Sequence, residues 1–268
     1  MTFVRPPAVA GTFYPADAAT LTSQIHAFLA GVDDVQPFPG APKALIVPHA
    51  GYVYSGPIAA HAYAHLAPLK DTISRVVLLG PCHRVAVRGL ALSSASAFAT
   101  PLGTVELEHS LDATLLADPN VLVHDATHTA EHSLEVHIPF LQTLLNDFKV
   151  LPMVVGDASP EAVDGVLDAV WGGPETLVVV STDLSHYLDY ERAQMLDRQT
   201  CRAIENLDFN AIGPAQACGR MALKGLLHLA HRKAMHVRTL DLRNSGDTAG
   251  GREQVVGYGS WALWEGQP

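Results

Sequence analysis

Apolar residues fall in short runs separated by longer stretches with helical spacing. Ala44–Val47 (ALIV) and Arg75–Leu79 (RVVLL) are too short for helices and stop at Pro48 and at Gly80-Pro81, so they predict buried strands. Leu151–Val155 and Leu177–Val180 follow the same pattern, and Val255–Trp264 can supply a terminal strand. The segments between predict helices at Ala18–Leu29, with Asp17 as N-cap, and at Ile58–Leu66, Leu111–Leu116, Pro139–Leu145, Glu161–Val170, Glu191–Leu207 and Cys218–Arg232. Pro68 bounds the second of these, because the residue before a proline is disfavoured in the helical region. Such alternation predicts an α/β fold, a sheet between layers of helices. With no linker, repeat or low-complexity tract, residues 1–268 read as a single domain.

Composition sharpens this picture. Apolar residues make up 48% of the chain and charged residues 16%, against roughly 25% charged in an average soluble domain. That balance predicts a large core with room for an oligomer interface. The net charge of −10 argues against nucleic acid as a partner. Apolar runs stay well short of the roughly 18 residues of a membrane span, which argues against a membrane protein. The opening MTFVRPPAV lacks a signal-peptide core, and three cysteines (Cys82, Cys201, Cys218) leave one unpaired under any pairing. Both features predict a reducing, cytoplasmic setting. Fourteen histidines are the unusual count.

Three predicted strands end alike: ALIV runs into Pro48-His49, RVVLL into Gly80-Pro81-Cys82-His83, and LVVV into Ser181-Thr182-Asp183-Leu184-Ser185-His186. Ligands of open α/β sheets bind beyond the carboxyl ends of the strands. One such histidine reads as a loop cap; three point to a shared pocket, provided the strands are neighbours. In Glu131–Pro139 (EHSLEVHIP), Leu134, Val136 and Ile138 alternate with Ser133, Glu135 and His137. An extended stretch would bury one set and present the other, either to a pocket or to solvent as an edge strand. Its two histidines are five apart, so it is not the H-E-x-x-H zinc helix.

Cys218 opens a predicted helix with Arg220 close by, which predicts a lowered thiol pKa and a nucleophile or soft metal ligand. Buried structural cysteine fits Cys201 better, and Cys82 suits either reading. His61/His65 and His228/His231 read as helix-face pairs with nothing else polar beside them. Asn244–Gly251 is a turn-rich loop before a strand. Phosphate-loop and Rossmann glycine patterns are missing, and Ser55 and Ser181 lack the nucleophile-elbow context.

The stretches PAVAGTFYP (Pro7–Pro15), VPHAGYVYSG (Val47–Gly56), GPCHR (Gly80–Arg84), EHSLEVHIPFLQ (Glu131–Gln142), STDLSHY (Ser181–Tyr187), CGR (Cys218–Arg220) and NSGD…VVGYGS (Asn244–Ser260) together resemble the Memo-like family. That group is also known as system protein B of the AmmeMemoRadiSam set. The resemblance implies a single α/β/α sandwich with a central mixed sheet, related to the catalytic subunit of class III extradiol dioxygenases. It implies His49 and His83 as metal ligands, and Cys218 as a third where those dioxygenases supply a glutamate. It implies His186 as the pocket acid/base with Asp183 supporting it, and His132 near the pocket. The missing glutamate weighs against ring cleavage.

Three functional readings follow. The first is a metal-dependent oxidoreductase whose His49, His83 and Cys218 hold Fe(II) in the first instance, or copper or zinc. Its ligand would be a small molecule or peptide. The second is a non-catalytic binding or assembly module working with a radical-SAM protein partner. The third, the weakest, is a metal-free cysteine hydrolase.

Overall fold

A computed structural model describes residues 3–33, 35 and 38–266. Its first strands are β1 (Val4–Arg5), β2 (Ala44–Val47), β3 (Arg75–Pro81), β4 (Leu90–Leu92), β5 (Ala97–Thr100) and β6 (Gly103–Glu106). The rest are β7 (Val121–Val123), β8 (Lys149–Val155), β9 (Thr176–Ser181), β10 (His186–Leu188), β11 (His236–Asn244) and β12 (Val255–Trp264). The helices are α1 (Ala18–Ala30), α2 (Tyr52–Tyr63), α3 (Asp112–Leu115), α4 (Asp125–Thr129), α5 (Ile138–Leu144), α6 (Pro160–Ala169), α7 (Tyr190–Glu205) and α8 (Arg220–Arg232).

Nine strands form one mixed sheet in the order β10-β12-β2-β9-β3-β8-β4-β7, with β11 alongside β12. Its centre, β2-β9-β3-β8, is parallel. Parallel strands covered on both faces read as continuous apolar runs, which is why these were legible. Alternate residues feed two cores. Ile46, Leu79, Met153 and Val180 face Val163, Leu167 and Leu226 of α6 and α8. Leu45, Leu78, Val154 and Val179 face Leu21, Tyr63 and Phe140 of α1, α2 and α5. The result is the expected sandwich of helices around a central mixed sheet.

Several elements depart from expectation. Helix α2 begins at Tyr52 rather than Ile58 and takes in Gly56 and Pro57. Gly56 is there because a Cβ would lie 2.4 Å from the Phe28 ring of α1. Helix α8 begins at Arg220, two residues beyond Cys218. A separate three-stranded sheet, β1-β5-β6, was not anticipated; its strands are two to four residues long. His61 and His228 are not isolated either: they reach Asp241 (3.5 Å) and Asp164 (2.5 Å). Among the described residues, no helix is long and apolar enough to cross a membrane.

The EHSLEVHIP segment is not extended. Glu135–His137 forms a 3₁₀ turn that leads into α5 with Pro139 in its first turn. Both alternating sets are buried, Ser133, Glu135 and His137 as fully as Leu134 and Val136. Burial of the polar set is possible because each member finds partners. Glu135 accepts from the Arg5 guanidinium at 2.5 Å, from the Ala8 and Val9 amides and from the Tyr14 hydroxyl. This carboxylate ties residues 5–14 to the body of the fold.

Two predictions follow from these buried charges. Removing one partner of a buried ion pair strands the other, so Glu135→Ala should lower stability by about 3–5 kcal/mol in urea unfolding. Burial pushes the Asp197 carboxyl up to about 6 from 3.8, outweighing its bonds from Ser185. A raised folded pKa means this contribution is complete below the unfolded pKa and is lost as pH rises through the folded one. The stability difference between Asp197→Asn and the parent should therefore grow by up to about 3 kcal/mol between about pH 4 and 7. A pH-independent difference would refute that.

Candidate metal centre

Strand order brings the polar strand ends together. The strands β2, β9 and β3 are immediate neighbours, and Val47 lies in register with Ser181. His49 therefore emerges beside Ser181 and Asp183. Its amide donates to Asp183 Oδ1 at 2.7 Å, and its Nδ1 lies 2.6 Å from Ser181 Oγ. Past β3, His83 meets Glu131. Its amide donates to Oε2 at 2.6 Å and its Nδ1 to Oε1 at 2.8 Å. Glu131 also accepts from the amides of His132 and Ser133 at 3.0 Å each. Burial opposes ionisation of Glu131, but the hydrogen bonds from His83 and Ser133 outweigh it and hold the carboxyl down at about 2. With Nδ1 committed to the carboxylate, Nε2 is the His83 nitrogen left for a metal, the arrangement common behind metal-bound histidines.

His132 joins them, stacked on His83 with ring centroids 4.6 Å apart and against Phe13 at 4.7 Å. Donor nitrogens of His49, His83 and His132 all lie within 4.8 Å of one another. His132 Nδ1 is buried without a hydrogen-bond partner. The Cys218 sulfur stands outside that set of three, 3.3 Å from His49 Nε2, and accepts the Asp183 amide at 3.2 Å. Burial, reinforced by the neighbouring histidines, holds the His49 pKa well below its usual range. Burial, then His83, lowers that of His132. Neutral imidazole is the form that binds metal.

Two expectations are corrected. Cys218 is not acidified: burial, then the Asp183 carboxylate, pushes its thiol up to about 12. The helix starts too late to help, and desolvation dominates. Asp183 does not orient His186; it holds the His49 backbone, and the Leu184 carbonyl accepts from His186 Nδ1 at 2.8 Å. His186 Nε2 is thus the free nitrogen.

Gly219 explains how the sulfur is placed. A Cβ there would lie 2.4 Å from the Ser181 carbonyl oxygen, so only glycine lets the chain lie against β9. The Cys218 amide donates to the Asp183 carbonyl at 3.1 Å, and the Gly219 amide to Thr182 Oγ1 at 2.9 Å. The pocket is about 740 Å³, with Phe13, Tyr54, Tyr187 and Tyr258 among its walls and Arg84 beside His83. Tyr187 has a left-handed backbone (φ 59°) and is 71% exposed.

The sequence profile described as Memo-like protein matches residues 5–262. The chain belongs to the Memo-like family. Relatives similar to it over nearly their whole length are each a "MEMO1 family protein". The one from Sulfolobus acidocaldarius is 32% identical, covering 95% of this chain and 97% of its own. The one from Aquifex aeolicus is 36% identical with the same coverage. A crystal structure of an uncharacterized protein from Escherichia coli K12 shares the fold, with TM-score 0.53 at 11% identity over 82% of this chain and 98% of its own.

In this Memo-like chain the donor set fits a transition metal: three imidazoles, a thiol beside them and one buried ring nitrogen without a hydrogen bond. Sequence reasoning missed Glu131 and Ser181 as the groups that orient the rings, although both stand inside the motifs EHS and STDLSHY. In metal-free protein, the His49 and His137 rings should show no protonation by NMR between about pH 5 and 8. Burial holds the first well below its usual value and the second down to about 3. Titration of either near pH 6.5 would contradict the burial argument.

Proposed function

We propose that this Memo-like protein binds one transition-metal ion through His49, His83 and Cys218 and uses it for redox chemistry on a ligand held in the adjoining pocket. The observation that carries this reading is the approach of three imidazoles to within 4.8 Å of one another, with a sulfur 3.3 Å from His49 Nε2. His132 faces the same point and is either a fourth donor or a pocket acid/base. Fe(II) is the first candidate, with copper and zinc as alternatives that a thiolate favours. Bound there, the ion would supply a Lewis acid or a site for oxygen. The chain's own residues do the rest. Glu131 and Ser181 orient the two rings, and Phe13, Tyr54 and Tyr258 give the ligand an aromatic wall. His186, its Nδ1 committed to Leu184, takes or returns a proton at Nε2.

A second reading, a binding or assembly module with a radical-SAM partner and a small-molecule or peptide ligand, draws on the donor set itself. No carboxylate belongs to the mutually close donors among the described residues. Metal-free hydrolysis by Cys218 draws no support from a thiol pushed up to about 12.

Metal-free protein titrated with Fe(II), Cu(I), Co(II) and Zn(II) should bind one ion per chain. Uptake should release about one proton, and affinity should rise with pH, because the Cys218 thiol must ionise to bind. Cys218→Ala should abolish the thiolate charge-transfer band of the Co(II) form, and His83→Ala should weaken binding at least 10-fold. No stoichiometric binding would sink the reading. Oxygen uptake by the Fe(II) form over a panel of phenolic substrates, lost in His186→Ala with metal retained, separates enzyme from module.

A further inference from the structure

Beneath His49 lies a hydrogen-bond chain that runs on past Ser181 to Ser133, His137 and Tyr63, groups that the reading above does not use. Ser181 Oγ is 2.6 Å from the Ser133 carbonyl oxygen, 2.6 Å from His49 Nδ1 and 2.8 Å from His137 Nε2. His137 Nδ1 is 2.8 Å from the Tyr63 hydroxyl. All five residues are buried, with Tyr63, Ser133 and Ser181 at 0% exposure.

The direction of every bond follows from one atom. A carbonyl oxygen only accepts, so the single Ser181 proton must point at Ser133. Ser181 Oγ is then an acceptor with two lone pairs, and both rings must donate to it. His49 therefore carries its proton on Nδ1 and His137 on Nε2, and His137 Nδ1 accepts from Tyr63. What remains unprotonated on His49 is Nε2, the nitrogen 3.3 Å from the Cys218 sulfur.

We propose that His137 and Ser181 are positioning residues that lock His49 in the tautomer whose free nitrogen faces the pocket. Ser181 alone would not suffice. The Ser133 carbonyl sets the direction of the Ser181 hydroxyl, and the His137 N–H, donating to the same oxygen, pins that oxygen 2.6 Å from His49 Nδ1. Without this second anchor the Ser181 side chain can leave its rotamer, and His49 Nδ1 loses the fixed acceptor that keeps its proton there. The lock is a property of the metal-free protein. Its purpose rests on the metal-binding reading.

The test is ¹⁵N NMR of histidine-labelled, metal-free protein, with zinc affinity measured in parallel. The parent should show His49 only as the Nδ1–H form. His137→Phe should give a mixture containing the Nε2–H form and weaken zinc binding by about 10–100-fold. His137→Gln, whose side-chain amide can still donate to Ser181, should recover most of both, which a merely space-filling role would not explain. If His137→Phe fails to fold, Ser181→Ala reads the same lock and should also give mixed tautomers. A parent His49 protonated on Nε2 would overturn the proposal, as would variants that keep the pure Nδ1–H form and full zinc affinity. If the parent takes up no zinc while the variants still show mixed tautomers, the lock is upheld and the metal reading falls.

Discussion

Polar side chains cannot be buried at the edge of a sheet unless each hydrogen-bonding atom is answered, and that requirement organises this protein. The parallel strands β2, β9 and β3 end side by side and bring imidazoles to one pocket, with His49 buried at its floor and His83 nearer its mouth. The segment 131–137 answers them. Glu131 takes His83, the Ser133 carbonyl takes Ser181, and His137 completes the group behind His49. The same segment anchors the amino-terminal residues through Glu135, which carries Phe13 to the face of His132. One short irregular stretch thus serves the core, the pocket and a distant part of the chain.

How much of this could be read in advance depended on burial. The central strands were legible because residues buried on both faces are mostly apolar, so ALIV and LVVV stand out from their surroundings. The strands β4 to β7 were not legible: each is three or four residues, and none has the four consecutive apolar residues of the equally short ALIV. The alternation in EHSLEVHIP was real but ambiguous. It marks one face as polar without saying whether solvent or buried partners receive that face, and here Arg5 and Tyr14, over a hundred residues away, receive Glu135.

The candidate site shows the same division. That His49 and His83 converge followed from their place after apolar runs, whereas His132, which joins them, was placed near the pocket only by the family resemblance of its EHS motif. What each contributes depended on partners that no local pattern reveals. Asp183 serves the backbone of His49 rather than the ring of His186, and Cys218 is governed by desolvation rather than by the dipole of a helix that begins two residues later. Glu131 lay in plain view between recognised residues, yet its role appears only when four N–H groups are seen to point at it.

The placement of Gly219 against the Ser181 carbonyl reaches further than local sterics. Because residues 218 and 219 bond to residues 182 and 183 of the chain leaving β9, the sulfur inherits the rigidity of the sheet and not that of the stretch that delivers it. A substitution that loosens the packing of Ile212 or Ala217 in that stretch therefore reaches the sulfur only through the two residues already fastened to the sheet.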